Sequence, residues 1–540
     1  MTLRTRSWWA AASGVAAVLV TLAIAELLAL ILAPASSPLL AAGSAVIDNV
    51  PPDVKETVIA LFGTNDKAVL IACLVVLVVS VAGLAGLLEN HRTPWGLVVF
   101  AASGVIAFAA VMTRAEATAG WAIPTVVGVG VGLVVLRVAI TRLARWAGVE
   151  RTVAETGEPV DATADQPTET APIPAAPAPT ERNAFDRRSF LSFVGGASAV
   201  AIVVGLGARL MNVGRAAVNV ARKAITLPAP VVAAAPIPTG ASLDVAGITP
   251  LVSDNATFYR IDTALQIPAI DTETWRLRIT GMVENEVEIS FADLLALPME
   301  ETYVTLMCVS NEVGGGLTGN ALWLGHPIRN LIAQAKPLPG ADMVLSTSAD
   351  GWTASTPLEV LQDENRNSLL AVGMNGEPLP LEHGFPVRMV VPGLYGYVSA
   401  TKWVVELGLT RFADETAFWT NNGWSAKGPV KTSSRIDVPT NGASVAPGRT
   451  AIAGVAWAQH IGVAGMEVRI DGGMWQAARL ADELSIDCWR QWVFDWDATS
   501  GNHLTEARAT DAAGGIQSGV SKAVAPDGAE GWQVITVSVG

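Results

Sequence analysis

The stretch Thr305-Leu-Met-Cys308-Val-Ser-Asn311-Glu-Val-Gly314-Gly315-Gly316, with Ala321-Leu-Trp323-Leu-Gly325 shortly after it, decides how the chain is read. An apolar, β-prone run from Tyr303 to Met307 delivers one cysteine to the mouth of a glycine-rich turn. Glycine has no Cβ and tolerates positive φ, so such a turn lets the backbone approach a large ligand closely. A thiolate presented this way is a nucleophile or a soft metal ligand. A lone cysteine is as readily a small buried hydrophobe, and the local pattern leaves these readings open.

A chain of 540 residues holds more than one domain. With 51% hydrophobic residues and a mean hydropathy of +0.41, membrane spans are the first expectation. The formal net charge of -14 argues against a nucleic-acid partner, which would want a basic face. The three cysteines, Cys73, Cys308 and Cys488, give neither a disulfide framework nor a CxxC metal spacing.

Apolar runs at Trp8–Leu32, Ala68–Leu88, Trp95–Met112 and Trp121–Ile140 each approach the roughly 20 residues a helix needs to cross the hydrocarbon core. Trp8, Trp95 and Trp121 stand at span ends as interfacial anchors would, and Glu26 is the acid inside the first span. Arg4, Arg6, His91, Arg92, Arg137, Arg142 and Arg145 flank one side, whereas the first loop carries Asp48, Asp53, Glu56 and Asp66. That bias predicts a four-span region over 1–147 with both ends cytoplasmic. A Pro/Ala-rich acidic linker follows over 148–185, too polar and proline-rich to bury a core.

Asp186-Arg187-Arg188-Ser189-Phe190-Leu191 then opens an apolar run to Leu210. Arg-Arg, one variable residue and Phe-Leu match the twin-arginine export pattern, so 186–212 is read as an export motif with a fifth, retained span. The catalytic half is thereby expected outside the cytoplasmic membrane. A second Pro/Ala-rich linker is expected over 213–246. Over 247–427 the pattern is mixed α and β, with a serine-capped helix from Ser290 and a helix from His326-Pro327 to Ala335. Asp350-Gly351 and Asn375-Gly376 read as hairpin turns. Over 428–540 short alternating strands argue an all-β sandwich.

Cys308 with its glycine-rich turn, His383-Gly-Phe-Pro-Val-Arg388 and Ser399-Ala-Thr-Lys402-Trp403 occur in that order and together resemble the sulfite oxidase family of molybdopterin enzymes. The resemblance runs from Val252 to the C-terminus. It implies an α+β molybdopterin domain and an immunoglobulin-like dimerisation domain, hence a homodimer, so that the expected fold is an all-α transmembrane bundle of five spans, read from the apolar runs, followed by these two domains. It implies Cys308 as the protein ligand to molybdenum and Asn311 beside the pterin. His383, Arg388, Ser399 and Lys402 would hold pterin and phosphate, an arginine fork suiting phosphate through two parallel charge-assisted hydrogen bonds. Trp323 and Arg260, with Tyr259 beside it, would lie by the substrate.

Sulfite oxidases commonly carry basic residues directly after the Cys-x-x-Asn, but Glu312 and Val313 stand here. A less positive pocket binds a dianion less well. The expected activity is two-electron oxygen-atom transfer on sulfite or a related sulfur compound. The alternatives are reduction of an S-oxide or N-oxide, and a non-catalytic membrane scaffold on a decayed molybdenum fold. His91 is the only histidine before His326 and the chain has no CxxCH, so no haem is expected. Electrons would then pass to or from a separate carrier, a cytochrome or a quinone-linked protein.

Overall fold

The computed structural model describes the chain apart from residues 1–2, 33–35, 52–53, 55–57, 59–60, 62–65, 115–116, 156–187, 189, 197 and 200–211. The chain divides into two compact units, Met1–Gly214 and Arg215–Gly540.

The first unit is helical: α1 (Leu3–Leu32), α2 (Pro38–Asn49), α3 (Asp66–His91), α4 (Trp95–Met112) and α5 (Ala122–Glu155). Four of its helices, all but α2, are long and apolar enough to cross a membrane. Small residues let the backbones meet: a Cβ on Gly14 of α1 would stand 1.9 Å from the Ala82 carbonyl of α3, and one on Gly86 2.1 Å from that of Ala10. Glu89, fully buried, pairs with Arg137 at 2.8 Å and accepts the Leu97 N–H at 3.1 Å, so one carboxylate ties α3, α5 and the first turn of α4 together. Phe190 packs between Trp9 and Trp146 with ring centroids 5.7 and 5.8 Å away. The expected fifth span, past Gly196, and the linker over 148–185 fall largely outside the described residues.

The amphipathic helix α6 (Asn212–Ala224) runs across the boundary, and most of it belongs to the second unit. The Pro/Ala-rich segment after it, expected to be a spacer, is instead laid against the unit. Val231 N–H donates to Met299 O and Glu301 N–H to Val232 O, both at 2.8 Å. Proline-rich chain is already extended, so composition does not separate a free spacer from a strap that caps an open strand edge.

Three sheets follow. The first has the order β2-β1-β10-β5-β6, formed by β1 (Arg276–Gly281), β2 (Val287–Ser290), β5 (Met343–Ser348), β6 (Thr353–Pro357) and β10 (Val404–Thr410). The second, β3-β4-β7-β8 with β9 on β7, comprises β3 (Glu300–Met307), β4 (Thr318–Pro327), β7 (Leu369–Met374), β8 (Glu377–Pro378) and β9 (Arg388–Val390). Helix α7 (Phe291–Ala296) is started by a full capping box between Ser290 and Asp293, and α8 (Ile328–Ala335) begins after Pro327. Asn375 and Gly376, at φ of 51° and 81°, make the tight turn between β7 and β8.

The third is one continuous eight-stranded sheet. Its strands are β11 (Ser433–Val438), β12 (Ala443–Val445), β13 (Gly448–Trp457), β14 (Val463–Ile470), β15 (Gln476–Leu480), β16 (Arg490–Ala498), β17 (Gly501–Asp511) and β18 (Gln533–Val539). Where the sequence suggests a sandwich of separate sheets, β15 pairs with β14 through Gln476–Ala478 and with β16 through Arg479–Leu480. One strand shared at its midpoint curls the sheet onto itself, and Ile452, Trp492, Val468 and Val537 fill the enclosed core.

Candidate active site

Strand β3 is an edge strand whose buried half ends at Cys308. Its open side is closed by the third sheet's loops. Thr305 N–H donates to Asp487 O at 3.0 Å, its hydroxyl accepts from Trp489 N–H at 2.8 Å, and its carbonyl accepts from Gln459. The turn after β3 is closed at its base by Cys308 N–H to Leu317 O at 3.0 Å. Asn311 accepts the Leu317 N–H at 2.7 Å. Arg435 of β11 donates to Gly315 O at 3.0 Å. Gly314, at φ +77°, lies where a Cβ would strike the Gln533 side chain at 2.7 Å. Glycine is therefore required both for the backbone angle and for the close approach.

Cys308 is a free, half-buried thiol. Burial pushes it up, while the Ser310 N–H and hydroxyl and the Val309 N–H pull the other way by donating to the sulfur.

The basic residues named from sequence converge. Arg388 is buried, stacked 5.0 Å from the Trp323 ring, with its guanidinium donating to the carbonyls of His383 at 3.0 Å and Met389 at 3.3 Å. Trp323 is fully buried and its indole N–H donates to Val304 O of β3 at 3.1 Å. It is therefore the floor under Arg388 rather than a residue lining open space. Lys402 donates to Asp262 at 2.6 Å and to Glu382 O at 3.2 Å. Asp262 also holds Arg260 at 2.9 Å. His383 Nε2 donates to Asn255 O at 2.9 Å; burial, with the charges of Arg388 and Lys402, pushes it down to about 4, so the ring is neutral.

Tyr259 connects the two halves. Burial raises its hydroxyl pKa above the ordinary range, the Cys308 sulfur adds to that, and Arg388 opposes it. Sulfur and guanidinium therefore act on the same hydroxyl. Ser399 departs from expectation: its hydroxyl is fully buried and donates to Leu394 O at 3.2 Å and Tyr395 O at 2.9 Å, so it shapes the turn and has no donor left for a phosphate. Asn311 likewise spends its carbonyl oxygen on the turn. Asp262 was not singled out from sequence, although its i, i+2 spacing from Arg260 in an extended segment puts both on one side.

The residues fit a phosphorylated cofactor. Burial pushes Arg388 down to about 10 and Lys402 down to about 8, the latter despite Asp262. Arg388 makes no ion pair among the described residues, so the cluster of Arg388, Lys402 and Arg260 against Asp262 carries excess buried positive charge, which an anion would balance. Among the described residues no group of three His, Cys, Asp or Glu could hold a metal ion, so a metal here would need most of its ligands from a cofactor, with Cys308 as the protein's soft donor.

Comparison with known proteins bears on the cofactor class. Residues 264–419 match the oxidoreductase molybdopterin binding domain. The chain is 31% identical over 278 residues to the mitochondrial sulfite oxidase of Mus musculus, covering 42% of this chain and 50% of that one. It is 34% identical over 158 residues to the uncharacterized oxidoreductase YuiH of Bacillus subtilis, covering 29% of this chain and 76% of YuiH. Among solved structures, the sulfane dehydrogenase SoxCD of Paracoccus pantotrophus is similar at 25% identity and a TM-score of 0.48, over 54% of this chain and 82% of that one. The chain spans about half the length of the mammalian sulfite oxidases it matches. The family model and the Bacillus subtilis relative place the chain among molybdopterin-binding oxidoreductases. The chain belongs to the sulfite oxidase family of molybdopterin-dependent oxidoreductases.

Proposed function

We propose that this chain is a membrane-anchored, exported oxidoreductase of sulfite oxidase type, with Cys308 as the protein ligand to molybdenum. Arg388 and Lys402 would grip the cofactor's phosphate, His383 would meet the pterin as a neutral ring, and Asn311 would hold the turn that presents the sulfur. The bound molybdenum cofactor supplies two-electron oxygen-atom transfer, with water as oxygen source or sink. The protein's share is to orient, to keep a buried positive field for the phosphate and to shield the sulfur. The observation that carries this reading is the buried cluster of Arg388 and Lys402, with Asp262 as its carboxylate, in the same unit as the free, half-buried thiol of Cys308.

Sulfite or a related sulfur compound is the first candidate substrate. A second reading, reduction of an uncharged S-oxide or N-oxide, is favoured by exposed Glu312 after the ligand turn and by Arg260 being held to Asp262. Electrons would pass through a separate carrier, a cytochrome or quinone-linked protein. The charge bias of the spans and the Arg187-Arg188 pair support catalytic domains on the extracytoplasmic side, and the curled sheet is the expected homodimer contact.

Molybdenum content of the purified protein, followed by stopped-flow bleaching with sulfite against reoxidation by a sulfoxide, tests the reading. Metal-free protein carrying no pterin would sink it, and the half-reaction that proceeds would choose between the substrates. Export that survives conversion of Arg187 and Arg188 to lysine would remove the twin-arginine assignment.

A further inference from the structure

Between α4 and α5 the surface of the bundle opens into a groove of about 500 Å³. Its walls are aliphatic: Leu97, Val98 and Ala101 of α4 face Leu133, Val134 and Val138 of α5. The polar side chain among its lining residues is Arg137. The inner edge of this guanidinium is fixed, because Nη1 donates to Glu89 at 2.8 Å and Glu89 is fully buried. The Arg137 side chain is nonetheless 53% exposed, so its aliphatic stem lines the groove while guanidinium donors remain open at the bundle surface beside it.

Depth and charge say what fits. Glu89 also accepts the Leu97 N–H, which puts Arg137 level with the first turn of α4. That helix starts at Trp95, 59% exposed, where a tryptophan marks the interface between headgroups and acyl chains. The same end of the bundle carries Arg6, hydrogen-bonded to Asn90 at 2.9 Å, Arg92 in the turn before α4, and Arg142 and Arg145 further along α5. Both oxygens of Glu89 are occupied, so an incoming group meets apolar walls in the groove and the exposed Arg137 guanidinium beside it, with no free Glu89 oxygen.

We infer that this groove is a binding site for an anionic phospholipid, one acyl chain lying along the aliphatic walls and the phosphate on the exposed donors of Arg137 beside the groove. A zwitterionic lipid would gain less from the surplus of arginines. A quinone would want an accessible proton-accepting group, and Glu89 is sealed away. The inference rests on the helices spanning a membrane and is independent of the molybdenum chemistry.

The full chain, extracted in mild detergent and exchanged into mixed phosphatidylglycerol and phosphatidylcholine, is examined by native mass spectrometry. Wild type retains phosphatidylglycerol in preference to phosphatidylcholine. Arg137→Gln loses that retention by roughly fivefold, the effect of one arginine near an anionic surface. Because Arg137→Gln also frees Glu89 and can loosen the bundle, Val134→Trp provides the second arm: it keeps every charge, fills the groove and also loses the lipid. Equal retention by wild type and Val134→Trp, equal retention of the two lipids, or a quinone in place of the phospholipid overturns the site. Release of the whole chain from membranes by an alkaline carbonate wash removes the membrane-spanning reading itself, a separate and recognisable failure.

Discussion

Cys308 and Cys488 lie along the same strand, β3, one at its end and the other beside Tyr303, and burial raises the pKa of both thiols. Their surroundings differ. Cys488 is buried, donates to Tyr303 O at 3.3 Å and accepts from Ser485 at 3.4 Å, and burial pushes it up to about 12. Cys308 stays half-buried at the mouth of its glycine-rich turn, where Ser310 and Val309 pull against the effect of burial. A thiol that gives its proton to a carbonyl joins two segments, whereas one left partly open at a turn stays within reach of a ligand. The direction of the pKa shift alone does not separate the two roles. The partners and the exposure of each sulfur do.

The largest contrast is expected in turnover. Cys308→Ser should lower it by at least about 100-fold with parallel loss of the molybdenum absorption, while Cys488→Ala should stay within about twofold. A Cys308→Ser enzyme that turns over normally would erase the distinction.

The buried cations come next. Arg388→Gln should reduce the molybdenum and pterin retained by about 10- to 100-fold, read by metal analysis and pterin fluorescence after oxidation. Lys402→Met should cost less, because Asp262 already shares that charge.

Alkylation sharpens the comparison from the other side. With exposed Cys73 changed to alanine, cofactor-free protein should label at Cys308 while Cys488 waits for unfolding, which peptide mapping resolves.

Cys488 also gives the fold a pH dependence. The folded protein keeps a proton up to about pH 12 that the unfolded thiol releases near its ordinary value of 9.0. Its contribution makes stability fall as pH rises from 9.0 towards 12, by up to about 1.4 kcal/mol per pH unit, in the same direction as Cys308 and the buried tyrosines, and Cys488→Ala should reduce that slope in denaturant titrations. The last test is at the staple: Arg435→Ala frees Gly315 O and Thr249 and leaves the buried Asp437 carboxylate unpaired, and should cost about 3 kcal/mol in denaturant titrations.

Much of the catalytic unit was legible because its signals are local. Ser290 with Asp293 makes a capping box within four residues, and Asn375-Gly376 makes its turn from its own backbone preferences. Cys308, His383, Arg388 and Lys402 could be grouped because each sits in a distinctive short motif. Ser399 was misjudged because a hydroxyl's partner is chosen by the fold around it, here the carbonyls of Leu394 and Tyr395. Asp262 was passed over because a carboxylate's importance depends on which cations face it.

The sequence by itself determined the apolar helices, the strand and turn that present Cys308, and the residue types able to hold a phosphate and a soft metal, since periodicity and backbone preference act over a few residues. Only the tertiary structure decided that Pro/Ala-rich chain straps β3, that β15 joins two halves of one curled sheet, and that Asp262 holds Arg260 and Lys402 together. Those outcomes depend on which distant donors, acceptors and charges are left unmatched once the chain has closed, and no short stretch carries that information.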